Sequence, residues 1–231
     1  MKIGILMAGD TPEALRSDFP SFSEMFQEMI SRQIDSPTFQ VFSVKDGQFP
    51  KDIEACDVWL VTGSVSSAYD GDSWINDLEQ LIVEIDSKKI RLIGVCFGHQ
   101  IIAKALGGRV EKYSEGWGVG LHSYQFCLEG NEPRAEVFLP AFHQDQVVEK
   151  PVNAKVLMTS KFCINAALKY GEHVLTCQFH PEFTIPFERA LIELYANESI
   201  PSDVYQEAIA SFNKQPDNDV FAKLIGDFIH Q

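Results

Sequence analysis

The chain has 231 residues, 45% hydrophobic and 23% charged, ordinary proportions for a globular protein able to bury a sizeable core. Its formal net charge of −14, from 33 Asp and Glu against 19 Lys and Arg, argues against a phosphate backbone or an anionic membrane surface as partner. No apolar run approaches the roughly 20 residues that span a bilayer, so neither nucleic acid nor membrane is expected. In chain order, KIGILMA (2–8), FQVFSV (39–44), DVWLVT (57–62) and IRLIGVC (90–96) read as strands buried on both faces. The opening MKIGILMAG is too short an apolar stretch for a signal peptide and fits the first of them. Between them, FSEMFQEMI (22–30) and WINDLEQLIVEIDS (74–87) carry apolar residues at helical spacing, with Asp72 or Ser73 as cap for the second. Strand–helix–strand repetition implies a parallel sheet with right-handed crossovers. HQIIAKAL (99–106) continues as a helix stopped at Gly107-Gly108.

The pattern then changes. VGLHSYQFCL (119–128), KVLMTS (155–160), FCINAALKY (162–170) and HVLTCQFH (173–180) read as strands whose connections are too short for crossover helices, an antiparallel extension with a returning central strand. FERALIELYAN (187–197) is helical, and VYQEAIASFN (204–213) and DVFAKLIGDFI (219–229) follow breaks at Pro201 and Pro216. The expected architecture is a flavodoxin-like, doubly wound α/β domain over residues 1–200, with 201–231 as a helical tail packed on the same domain. Five scattered cysteines without a C-x-x-C pair predict neither a disulfide framework nor a zinc site. The expected compartment is the cytoplasm, and Asn197-Glu198-Ser199 carries no meaning there as a glycosylation acceptor.

In a doubly wound sheet, ligands bind beyond the carboxyl ends of the strands, where IRLIGVC delivers Cys96. Gly94-Val95-Cys96-Phe97-Gly98 is the cysteine form of a nucleophile elbow, in which glycines clear the space where strand and helix backbones crowd. The helix that follows favours a thiolate and leaves the Phe97 N–H free for an oxyanion. The competing reading is a small buried core residue. A thiolate nucleophile needs a base that can later protonate a leaving group. His180 ends another strand, and Glu182, two residues on past Pro181, is placed to hold the imidazole's other nitrogen.

The pair GVCFGHQ and HPE resembles the class I glutamine amidotransferases, a family with a Cys-His-Glu triad. TGSVSSAYDGDSWI (62–75) is similar to the family's glycine turn, which implies a second oxyanion donor from Gly63 and Ser64 opposite Phe97; Val65 stands where the family commonly has proline. The resemblance also implies substrate contacts at Gln100, at Trp117 and Gly118 within EGWGVG, and at His143 and Asp145 within the H-x-D-x-V segment. What it implies for activity is attack of Cys96 on a γ-carboxamide, with Cys96, His180 and Glu182 catalytic, and neither cofactor nor metal. The chain most resembles the free-standing, GMP synthase-like branch that includes plant γ-glutamyl peptidases. No P-loop and no glycine-rich ATP-pyrophosphatase loop occurs in the sequence.

Three readings stay open. One is a free-standing hydrolase of glutamine or a γ-glutamyl peptide, a small-molecule substrate. The second is a glutaminase subunit serving a separate synthase subunit, docked by Ser114 to Tyr124 or the C-terminal helices. The third is a non-catalytic binding protein. His143 is the rival base, His99 reads as a structural hydrogen-bonder, and Cys56, Cys163 and Cys177 read as packing or surface thiols.

Overall fold

Strand β1 (Lys2–Met7) sets the geometry from which the rest follows: β2 (Thr38–Ser43) joins one side of it and β3 (Val58–Val61) the other, both parallel. In this computed structural model residues 1–127, 136–196 and 198–231 are described; Leu128 and Asn197, which end two of the expected elements, lie outside them. The parallel run continues through β4 (Arg91–Val95) to a late strand, β11 (Val174–Cys177). Two further strands, β5 (Arg109–Lys112) and β8 (Asp145–Glu149), form a separate antiparallel pair. Beyond β11 come β10 (Ala167–Tyr170), β9 (Ala154–Thr159), β6 (Gly118–Phe126) and β7 (Glu136–His143), each antiparallel to its neighbour. Among the described residues the main sheet thus has nine strands, ordered 2-1-3-4-11-10-9-6-7. Chain direction along the sheet reverses between β1 and β3, the switch point at which open α/β sheets bind ligands.

Alternate residues of the central strands face two cores. Ile3, Ile5, Val58, Leu60, Ile93 and Val95 pack under α1 (Phe22–Ser31) and the last helix, α6 (Asn218–His230). Leu6, Trp59, Val61 and Leu92 pack under α2 (Ser73–Ser87) and α3 (Phe97–Ala105). Covered on both sides, these strands have no polar face, which is why they read as continuous apolar runs. The two remaining helices, α4 (Ile185–Tyr195) and α5 (Ser202–Ser211), pack on β6, α4 also against β7.

Several expectations need correction. Strand β2 is not buried on both faces: it is the sheet's edge, and Val41 is 40% exposed. The stretch from 162 turns until Ala167, so β10 is four residues long. Asp72 occupies the N-cap of α2 but its side chain accepts no capping bond. The 3.6-residue pattern did place α3, which starts two residues early, at Phe97, because Cys96 is its N-cap. Its end is a Schellman turn: Gly107, at φ +94°, and Gly108 donate to Lys104 and Ala103. Strands β5, β7 and β8 were not anticipated. Strand β7 contains Pro140, tolerated because this strand is the other edge of the sheet. Its outward groups are taken up locally: Phe138 exchanges hydrogen bonds with Asp217, and the Pro140 carbonyl accepts from the His180 N–H at 2.8 Å.

Candidate active site

Four loops at the carboxyl edge of the sheet meet around Cys96. The residue sits between β4 and α3 at φ +54° and ψ −106°, a left-handed conformation costing a non-glycine residue about 1–3 kcal/mol. The turn is tight enough to demand its glycines. A Cβ on Gly98 would lie 2.2 Å from the Val61 carbonyl oxygen, and one on Gly94 2.5 Å from that of Gly98. Cys96 is 6% exposed, its Sγ 3.8 Å from the Phe142 carbonyl.

Strand β11 runs beside β4 in parallel, with Cys177 opposite Val95, so the chain leaving β11 emerges next to the thiol. There His180 Nδ1 lies 2.7 Å from Glu182 Oε1, both side chains buried, and the ring and Cys96 line the same cavity. With Nδ1 committed to Glu182, Nε2 is the nitrogen left for sulfur. Burial alone pushes the imidazole down. The charges of Glu182 and Cys96, with the hydrogen bond to Glu182, more than offset it and hold His180 up at about 10. The ring stacks on Phe183 at 3.9 Å, and a side chain at Gly63 would press on it from the turn after β3. Gly9, after β1, backs that turn: a Cβ there would lie 2.7 Å from the Gly63 carbonyl oxygen.

A cavity of about 290 Å³ opens over these groups. Gly63, Ser64, Cys96, Gln100, Trp117, His143, Asp145 and His180 all line it. Glu182 stands behind His180. The Phe97 ring packs away from the cavity against Trp74, while its N–H belongs to the first turn of α3, whose donors have no partner within the helix. Gly118 is not in the wall; it stands opposite His143 in the β6–β7 pair, where a Cβ would lie 3.0 Å from His143 Nε2. Gln100 Nε2 is already committed, to the Asp145 carbonyl at 2.9 Å and to Gln178 at 3.2 Å. Asp145 Oδ1 accepts from the Tyr69 hydroxyl at 3.0 Å.

The other histidines and thiols differ in character. Burial, with His122 and His180 nearby, pushes His143 down to about 3, so its ring is neutral. His99 is fully buried, bonded to the Thr176 hydroxyl at 2.8 Å, and likewise pushed down by burial to about 3. Burial raises the Cys163 thiol to about 12 and Cys177 well above its usual range, so neither offers a thiolate.

Two residues were missed in the sequence. Asn218, in the first turn of α6, donates to the carbonyls of Pro181 and Phe183 at 2.9 and 2.7 Å, pinning the segment that carries Glu182. Glu188 of α4 is completely buried, and its Oε1 accepts from the Ala141 N–H at 3.1 Å. Burial raises this carboxyl to about 8, against the lowering pull of His180 and the N–H groups of Ala141 and Gly120 and with the repulsion of Glu182. No apolar or polar periodicity marks either residue as internal.

Comparisons with known proteins give the chain's family and its fold. The family model for class-I glutamine amidotransferases matches residues 21–193. Gamma-glutamyl peptidase 5 of Arabidopsis thaliana is 30% identical over 207 residues, covering 84% of this chain and 82% of that protein. A glutamine-hydrolysing GMP synthase subunit of Methanococcus aeolicus is 39% identical over 107 residues, 42% of this chain and 53% of that one. A glutamine amidotransferase structure from Thermotoga maritima superposes over the whole chain and 99% of its own, with a TM-score of 0.73 at 20% identity. An elbow cysteine, a histidine–glutamate pair beside it, and a family match running through both place the chain: it belongs to the class-I glutamine amidotransferase family.

Proposed function

We propose that the protein hydrolyses γ-glutamyl amides through a thioester on Cys96. The observation that carries this reading is that Cys96 and His180 line one cavity while Glu182 holds the imidazole's Nδ1 at 2.7 Å from behind. A histidine held protonated beside the sulfur favours a thiolate–imidazolium pair, which attacks without a prior proton transfer. Sulfur bonds to the γ-carbonyl carbon, and the oxyanion is received by the Phe97 N–H and the Gly63–Ser64 turn, each donor worth roughly 3 kcal/mol of barrier. His180 Nε2 then gives its proton to the departing nitrogen, the C–N bond breaks, and the thioester remains. Water enters, His180 takes its proton, and glutamate leaves as the thiolate returns. Glu182 fixes the tautomer throughout.

The names of the Arabidopsis relatives, gamma-glutamyl peptidases, support a free-standing hydrolase acting on a small molecule. The unpaired state of the cysteines among the described residues fits a cytoplasmic setting, and no helix there is long and apolar enough to cross a membrane. The packing of α5 and α6 supports treating residues 201–231 as a tail of one domain. The stretch shared with the Methanococcus synthase component favours a second reading, a glutaminase that waits for its synthase.

Glutamate release from glutamine, glutathione and a γ-glutamyl dipeptide, without ATP and with Cys96→Ala as blank, tests the proposal. Turnover by the purified chain supports the hydrolase. No turnover alone, with activity on adding cell extract, supports the dependent glutaminase.

A further inference from the structure

The cavity, of about 290 Å³, has to receive both the γ-glutamyl group and whatever leaves it. Beyond the thiol, the far wall is apolar: Trp117 and Phe142 lie with ring centroids 5.6 Å apart, Phe142 and Tyr195 likewise 5.6 Å, and Leu191 stands one helical turn before Tyr195 on α4. Such a surface gains by covering an apolar body of comparable size.

Away from the reacting centre, where His180 carries positive charge, the ionisable side chains in the cavity wall are acidic. Among the described residues no lysine or arginine lines the cavity, whereas Asp10 and Asp145 do. The nearby cation, Arg16, is turned onto the Thr11 carbonyl at 2.9 Å and onto Asp10 at 3.5 Å, and its side chain is 57% exposed. Three helix ends border the space. Tyr195 and Ser199 bring the C-terminal end of α4 to it, whose partial negative charge repels anions. The N-terminus of α1, at Phe22, is already closed by a complete capping box in which Glu24 supplies the negative charge. That of α3 belongs to the reacting centre. The whole chain adds a background of −14.

From the apolar wall and the acidic side chains away from the reacting centre, we infer that the preferred leaving group is an apolar amine without an acidic group, so that the favoured substrates are γ-glutamyl amides of such amines rather than of amino acids. This inference rests on the proposed hydrolase reading for its chemistry: the amine nitrogen takes the proton from His180 as its bond to the γ-carbonyl carbon breaks. The specificity-determining residues are Leu191 and Tyr195, which carry the contact, and Asp145 and Asp10, the latter partly compensated by Arg16, which carry the negative charge.

The test is a matched pair differing in one carboxylate: γ-glutamyl-phenethylamide and γ-glutamyl-phenylalanine. Binding of each to Cys96→Ala is measured by titration calorimetry, and kcat/KM for each, and for glutamine, with the native chain. The expected result is a preference of at least about tenfold for the phenethylamide in both measurements, equivalent to ~1.4 kcal/mol. Leu191→Ala and Tyr195→Ala should lower kcat/KM for the phenethylamide by a larger factor than for glutamine, and Asp10→Asn should narrow the ratio within the pair. Equal or tighter binding of γ-glutamyl-phenylalanine overturns the inference. Retained binding preference without turnover of any substrate refutes the hydrolase reading and with it the leaving group, leaving only the ligand preference of the cavity.

Discussion

Glu188 gives the sharpest physical test. Its carboxyl has no exposed surface and titrates at about 8, where an ordinary glutamate titrates at 4.5. Between those values the folded chain keeps a proton that the unfolded chain has released, so stability falls as pH rises, by ~1.4 kcal/mol per pH unit. The loss begins near pH 4.5, reaches about 3 kcal/mol at pH 7 and is complete near pH 8. Glu188→Gln has the same shape, still accepts from the Ala141 N–H, and cannot ionise. Glu188 Oε2 has no partner among the described residues, so the new amide adds a fixed cost of about 1–3 kcal/mol at every pH. His180 and Glu182 are common to both proteins and cancel in the difference. Urea unfolding followed by circular dichroism, at intervals from pH 5 to 8, should show the variant gaining on the native chain by about 1.4 kcal/mol for each pH unit. Two profiles that stay parallel would refute the buried neutral carboxyl.

The remaining predictions concern the elbow and the buried histidines. Gly98→Ala places a methyl group 2.2 Å from the Val61 carbonyl oxygen, so it should cost about 3 kcal/mol or more by thermal unfolding, or leave no soluble protein. Gly71→Ala, which meets nothing within 4 Å, should unfold like the native chain; an equal loss in both would reject the crowding argument. His99 and His143 titrate at about 3 when folded and near 6.5 when unfolded, so below pH 6.5 the unfolded chain gains their protons and stability drops as pH falls. In the Glu188→Gln background, which removes the larger opposing slope and leaves only a gain of about 0.4 kcal/mol from His180, urea unfolding should show a net loss of roughly 1.5 kcal/mol or more between pH 6.5 and 5.5. A flat profile there would mean that these rings are not held neutral.

The nucleophile elbow was readable because sterics confine it: only glycines fit where α3 passes within van der Waals reach of β3 and β4, and they flank Cys96 at fixed offsets. The central strands were equally legible, since burial on both faces leaves unbroken apolar runs. Strand β2 was misread because Phe39, Val41 and Phe42 look alike in sequence whether a second core layer covers them or not; position in the sheet decides that. Strand β7 was missed because Pro140 argues against a strand unless one knows that the strand lies at an edge. Glu188 escaped for a different reason: in FERALIELY it looks like a solvated helix residue, and only the approach of Ala141, distant in sequence, makes it internal.

The edge formed by β7 has a second meaning. An open strand edge is a template for another chain, and natural sheets blunt it. Here the blunting groups are Asp217, on Phe138, and the backbone of His180, on the proline carbonyl. The same hydrogen bond that hides the edge from self-association therefore anchors the residue read as the base. A fluctuation that peels this segment away would silence the site and uncover a sticky strand in one event, so inactivation by partial unfolding and the onset of aggregation should share a single threshold.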